Sequence, residues 1–151
     1  MRKPKEMYVI KYTHVDGQLQ PMIRFALSCN GRTTSVEAYV DSGATFSLFS
    51  PDEAERLGIE YRSGRLTWVR SVGGAFVPVY LHTLFVLVGH FSFKATVGFS
   101  AHIGVGFNLL GRKDIFKRLS FTFNDRYNFL LISHARNIPA SVKLRLGWPK
   151  G

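Results

Sequence analysis

Asp41-Ser42-Gly43-Ala44 closes a short apolar run in the stretch EAYVDSGATFSLFSPDEAERLGI, residues 37–59. A carboxylate at the end of a segment composed for burial is suited to proton transfer, because its surroundings decide when it holds its proton. A bare strand-end turn would also use Asp, Ser and Gly. Here, however, the turn leads into ATFSLFS, a second half-apolar stretch, and a solvated turn is not normally enclosed in this way. If Asp41 is a general acid or base, the first question is which group it works with.

The flanking sequence says what must hold Asp41. PMIRFALSC and TTSVEAYV lie on either side of NGR, and Asn-Gly between two alternating β-rich runs predicts a hairpin. Ile23, Phe25 and Leu27 alternate with polar or small neighbours, as do Val36, Ala38 and Val40, so the second strand runs directly into Asp41. After it, Ser50 is placed as a helix N-cap, Pro51 as the first helical residue and Glu53 as the other half of a capping box. Gly58 is placed to stop that short helix. LTWVRSVGGAFVPVYLH predicts a second hairpin with Gly73-Gly74 at its tip, and TLFVLV, FSFKATVGF and GVGFNLL predict further strands. A second short helix is expected at RKDIFKRL (112–119), opened by Gly111, then a terminal hairpin from LSFTFN and YNFLLIS. The last dozen residues, with Pro139 and Pro149, are expected to be irregular. Residues 1–20 read as a polar arm with a short strand, and VDGQ as a turn. Many short strands with one or two short helices predict an all-β single domain, barrel or sandwich.

Composition narrows the chemistry. The chain has 151 residues, 46% of them hydrophobic, enough for one core. Its one cysteine, Cys29, excludes an intrachain disulfide or a cysteine-only metal site and fits a small core hydrophobe. The histidines (14, 82, 90, 102, 134) form no close pair with metal-ligand spacing, so no metal and no cofactor is expected. GFNLLGRK (106–113) has the glycine spacing of a phosphate loop, but Arg112-Lys113 stand where Lys-Ser/Thr is required. No nucleophile elbow is present. The basic N-terminus is not followed by an apolar run, and VPVYLHTLFVLVGHFSF is interrupted by His82, Gly89 and His90. Neither a secretory signal nor a membrane span is expected, which points to the cytoplasm. Net charge is +10, concentrated in RKPK (2–5), RKDIFKR (112–118) and the acid-free RNIPASVKLRLGWPKG. Such charge can draw nucleic acid or anionic membrane, or be plain solvated surface.

AYVDSGATFSLFS resembles the catalytic loop of the retropepsin-like aspartic proteases, the single-domain family that includes the retroviral enzymes. NLLGRKDIF (108–116) resembles that family's second signature, two apolar residues and a glycine late in the chain. The Gly-Gly hairpin tip lies between the two, where the family carries its flap. The resemblance covers about residues 21–123. It implies a closed β-barrel with a flap hairpin and an aspartic endopeptidase activity on peptide or protein substrates. It implies that Asp41 is catalytic, that the Ser42 hydroxyl braces two active-site loops, and that Gly43 lets the backbone approach substrate, with Ala44 and Thr45 completing the loop. Leu109, Leu110 and Gly111, followed by Arg112, would pack beneath that loop, and Val72, Gly73, Gly74 and Ala75 would close over a bound peptide.

Peptide hydrolysis by this chemistry needs two carboxylates sharing one proton. The chain holds one Asp-Ser-Gly, so the expected enzyme is a homodimer with Asp41 from each copy. Residues 1–20 would be an arm, 21–133 the protease domain and 134–151 a basic extension. Thr45 stands where many viral members have an Asp that pairs with the arginine of the second motif, which leaves Arg112 without that partner. Ala44 stands where pepsin-like enzymes have a hydroxyl that bonds the charged carboxylate, and its absence implies activity at less acidic pH. Two other readings fit the residues: a non-catalytic module of the same fold used for dimerisation or peptide binding, and a basic β-domain that binds nucleic acid.

Overall fold

Asn30 and Gly31 both take left-handed backbone angles, φ 49° and 80°, and fold strand β4 (Met22–Cys29) onto β5 (Arg32–Val40). These two residue types tolerate that region, which the tight hairpin turn requires. The computed structural model describes residues 7–149; RKPK at 2–5 and Lys150 lie outside the described residues.

β5 pairs in parallel with β10 (Asn108–Leu110), and β10 pairs on its other side with β6 (Leu48–Phe49). β6 pairs in parallel with β9 (Phe91–Phe99), and β9 is antiparallel to β8 (Phe76–Val88). The far end of β8 returns to β4, with Leu87 opposite Ala26 and Val86 opposite Leu27, and this pairing closes the ring. TLFVLV is therefore not a separate strand but the continuation of β8, which runs unbroken for 13 residues. Its near half pairs with β7 (Arg65–Arg70), so the second hairpin projects from the ring as an outer pair with its tip at 71–75. GVGFNLL forms strand only at Asn108–Leu110.

A smaller sheet is made by β1 (Met7–Lys11), β12 (Phe129–His134) and β11 (Leu119–Asn124), and includes the expected terminal hairpin. Asp16 and Gly17, at φ 50° and 79°, turn a short hairpin of β2 (Thr13–Val15) and β3 (Gln18–Gln20). Alternate residues of β4 and β5, including Ile23, Phe25, Leu27, Val36, Ala38 and Val40, are buried in one cluster. Phe25, Phe49 and Phe99 lie in series there at 6.0 and 6.2 Å between ring centroids. Cys29 is half-buried and packs at the edge of the cluster.

α1 (Pro51–Arg56) starts at Ser50 and ends before Gly58 at φ 70°, as its residues predict. The capping box does not form. Ser50 makes no side-chain cap, its N–H donates to Asn108 Oδ1 at 3.0 Å, and Glu53 turns to Arg56 at 2.6 Å. The helix expected at 112–119 is instead a run of turns. Asp114 sits at φ 63°, where its carboxylate accepts from the Thr96 N–H at 2.9 Å, and a left-handed residue interrupts helical propagation. The second α-helix lies in the segment expected to be irregular, as α2 (Ala140–Arg145). Pro139 precedes it and Pro149 follows its cap, so the prolines bracket the helix rather than disrupt it. Gly147 at φ 68° and the Trp148 N–H bond to Lys143 O at 3.1 Å end it in a left-handed cap.

Tyr12 ties the N-terminal strands to the β11–β12 hairpin. Its N–H donates to Asn128 O at 2.8 Å and its hydroxyl to Asp125 Oδ1 at 2.8 Å. Burial, then the bond to Asp125, pushes its phenol up to about 12. Above pH 10 the unfolded chain loses this proton while the folded chain keeps it, so stability falls as pH rises from 10 to 12. The loss expected is on the order of 2 kcal/mol. Urea titrations at pH 9 and pH 11.5 should show this slope in the native protein and a shallower one in Tyr12→Phe.

Candidate active site

β5 delivers Asp41 to the rim of the ring, and β10 holds it there. The Asp41 N–H donates to Leu110 O at 2.9 Å. The chain then turns on itself: Gly43 N–H donates to Asp41 Oδ1 at 2.9 Å and Ala44 N–H to Asp41 O at 3.2 Å. A Cβ on Gly43 would lie 3.3 Å from Asp41 Oδ1, which is why a residue without one fits. Asp41 is half-exposed, whereas Ser42, Gly43 and Thr45 are exposed.

The segment after β10 fastens the rest of the loop. Gly111 N–H donates to Ser47 Oγ at 2.9 Å, Arg112 N–H to Ala44 O at 2.9 Å and Lys113 N–H to Thr45 O at 2.8 Å. Leu110 and Ser47 are fully buried beneath. Gly111 packs so closely that a Cβ there would collide with the Phe46 carbonyl and come within 2.9 Å of Ala44 O. Arg112 finds no carboxylate among the described residues. Its guanidinium donates to Ser42 O at 3.4 Å and lies over the Phe116 ring at 5.4 Å.

The β7–β8 hairpin leans over this loop. Between them is a cleft of about 350 Å³. Of the residues singled out in the sequence, Asp41, Gly43, Ala44, Thr45, Val72 and Leu109 line it. Asp41 is the sole carboxylate among the lining residues. Asp41 also borders, with Ser42, a second hollow of about 410 Å³ shared with Tyr12 and Asp125, where Asp125 accepts from the Tyr12 hydroxyl. Gly73, Gly74 and Ala75 form the exposed tip outside the cleft lining. Gly74 is at φ 85°, and Ser71 N–H closes the tip on Ala75 O at 2.8 Å.

Several cleft residues carry no sequence signal of their own. Tyr39 stacks on Phe107, centroids 5.5 Å apart and planes 28° apart, and both line the cleft with Ile103 and Val105. Segment 101–107 has no regular structure, so no periodicity points to its role. Ser47 looks like one more hydroxyl in a Ser/Thr-rich turn, and only its bond to Gly111 distinguishes it. The Asn108 side chain, donating to Glu37 O at 3.0 Å and accepting from Ser50, was equally silent.

Residues 25–98 match the family model for aspartyl proteases. A crystal structure of a retropepsin-like aspartic protease from Rickettsia conorii superposes with a TM-score of 0.64 at 20% identity, over 89% of this chain and 97% of that one. EIAV protease, complexed with the inhibitor HBY-793, superposes with a TM-score of 0.51 at 20% identity, over 69% of this chain and 91% of that one. No curated protein sequence matches. The fold is thus that of the retropepsin-like aspartic proteases, and the family match spans the Asp41 motif but not NLLGRKDIF.

Gly111→Ala should cost about 1–3 kcal/mol, because the added methyl has only backbone to displace. Ser47→Ala should cost a comparable amount by leaving a buried N–H unpaired, about 1–3 kcal/mol. Chemical denaturation of both variants checks this. A Gly111→Ala protein as stable as the parent would show that the two segments are not in this contact.

Proposed function

We propose that this chain is an aspartic endopeptidase acting as a homodimer, with residues 21–133 as the protease domain and one Asp41 from each copy forming the catalytic pair. The observation that carries this reading is the single carboxylate in a cleft roofed by a hairpin. Acid–base hydrolysis by carboxylates needs two, and the cleft of one chain supplies one. A two-fold arrangement provides the second by symmetry. Half-exposed Asp41 and exposed Ser42 are in keeping with a site that a second copy covers.

In the paired site the two carboxylates share one proton, because both cannot stay ionised at close range. The ionised member takes a proton from a water held between them, and the water oxygen bonds to the scissile carbonyl carbon. The protonated member gives its proton to the carbonyl oxygen. The tetrahedral intermediate collapses as its C–N bond breaks: the carboxyl that took the water proton gives it to the leaving nitrogen, a hydroxyl proton of the intermediate passes to the other carboxylate, and the carbonyl re-forms. Leu109, Leu110 and Gly111 hold the Asp41 loop from below. Ser42 braces the two loops across the two-fold axis. Gly43 keeps backbone close to the substrate. Val72, Gly73, Gly74 and Ala75 close over the bound peptide, whose side chains meet Ile103, Val105 and Phe107.

Asp41→Asn should abolish cleavage of a peptide library, by at least about a thousandfold, while leaving self-association in sedimentation unchanged. Equal cleavage by both proteins would end the protease reading. A native dimer that cleaves nothing would leave the non-catalytic module. Ala44→Thr adds a hydroxyl that can bond the charged carboxylate, so its pH–rate profile should move toward acid relative to the parent; a shift the other way would contradict the role given to Ala44.

A further inference from the structure

Residues 139–149 are exposed throughout, following half-buried Asn137 and Ile138. Ala135 N–H donates to Arg118 O at 2.8 Å, and beyond it every described backbone bond of the segment is to its own neighbours. α2 has no buried residue. Four large apolar side chains stand open on it and its cap: Val142 (41% exposed), Leu144 (72%), Leu146 (55%) and Trp148 (51%). Along the helix Val142 and Leu146 stand one turn apart on one face, with Lys143 and Arg145 to either side, and Leu144 lies on the opposite face; an exposed apolar stripe of this kind marks a contact surface. Cations are interspersed with these residues in sequence: from Arg126 to Gly151 the chain has Arg126, Arg136, Lys143, Arg145 and Lys150, and no Asp or Glu.

The partner can be chosen by chemistry. Pairing two copies through this segment would bring like charges together with no acid to offset them. Single-stranded nucleic acid would meet two aliphatic side chains and one ring, a poor stacking surface. An anionic lipid surface takes both components: aliphatic chains enter the acyl boundary, indole sits at the headgroup level, and lysine and arginine meet the phosphates. Among the described residues no helix is long and apolar enough to cross a membrane, so the contact is with its surface.

We propose that the segment from Arg136 to Trp148 is a membrane-surface docking element, in which Val142, Leu146 and Trp148 enter the interface of an anionic lipid layer and Arg136, Lys143 and Arg145 hold its headgroups. This proposal stands apart from the protease reading, and each can fail without the other.

The test uses the full chain with vesicles of phosphatidylcholine alone or with about 30% phosphatidylglycerol, a composition that gives a negative surface potential. The chain has two tryptophans, so Trp68→Phe leaves Trp148 as the single indole reporter. The expected result is co-sedimentation at least tenfold stronger with anionic than with zwitterionic vesicles, a blue shift of Trp148 emission on binding, and loss of both as salt rises. Val142→Ser with Leu146→Ser should abolish the blue shift and most of the binding, and Lys143→Glu with Arg145→Glu should remove the preference for anionic lipid. Both pairs lie on a surface with no buried residue, so the fold should survive them. The proposal is overturned by absence of binding to anionic vesicles, or by binding that the serine variants leave intact, since charge alone would then account for it. It is equally overturned if Trp148 shifts with protein concentration in the absence of lipid, which would make a second copy the partner, or if an oligonucleotide binds with the same residue dependence while vesicles do not.

Discussion

The insertion of β10 between β5 and β6 is the contact on which the rest of this structure depends. It brings Gly111 to Ser47 across 64 positions of sequence and lets three successive N–H groups, from Gly111, Arg112 and Lys113, satisfy the loop that begins at Asp41. An exposed loop would ordinarily wander, because few buried contacts restrain it. This one has its side chains in the open and its backbone fastened from beneath. The glycine at 111 is the condition for the arrangement, since any side chain would separate the two segments. Rigid support of that kind is what a positioned acid or base needs, because small displacements of a reacting group weaken catalysis steeply.

The ring and the hairpin over it share one strand. At one end β8 closes the barrel against β4, and at the other it carries β7 and the tip. The ring end is anchored by Leu84, Val86 and Val88 in the core, whereas Val72 to Phe76 are exposed. A single continuous element thus joins the most stable and the least packed parts of the domain. Movement at the tip can be gained without loosening the ring, since the hydrogen bonds to β4 and β9 lie beyond the part that projects.

Charge is distributed unevenly against this frame. The cleft contains one carboxylate and Arg70 at its edge, and the cations of the C-terminal segment gather away from any acid in sequence. Arg112, with no carboxylate partner among the described residues, settles on a carbonyl and on the face of Phe116. The guanidinium keeps its place by stacking and hydrogen bonding, at the cost of the ion pair.

Local chemistry explains what could be read in advance. Asn30-Gly31, Asp16-Gly17 and Gly73-Gly74 mark their turns because few residue types accept those angles, and the β4–β5 alternation follows from one face being buried. The Asp41 motif and the Leu-Leu-Gly segment were legible for the same reason: their small and acidic residues have few local alternatives. The second helix was misplaced because a distant partner stops one candidate and local end signals support the other. Thr96 captures Asp114 and holds it left-handed, while the prolines at 139 and 149 happen to fall where a helix can begin and end. The capping box at Ser50 lost to Asn108 in the same way. By itself, then, the sequence determined the strands, the turns and the identity of the lone carboxylate, because those depend on neighbours a few residues away. Only the tertiary structure decided that Ser47 would support Gly111 and that Tyr39 would stack on Phe107, because each rests on a contact between segments that are far apart in the chain.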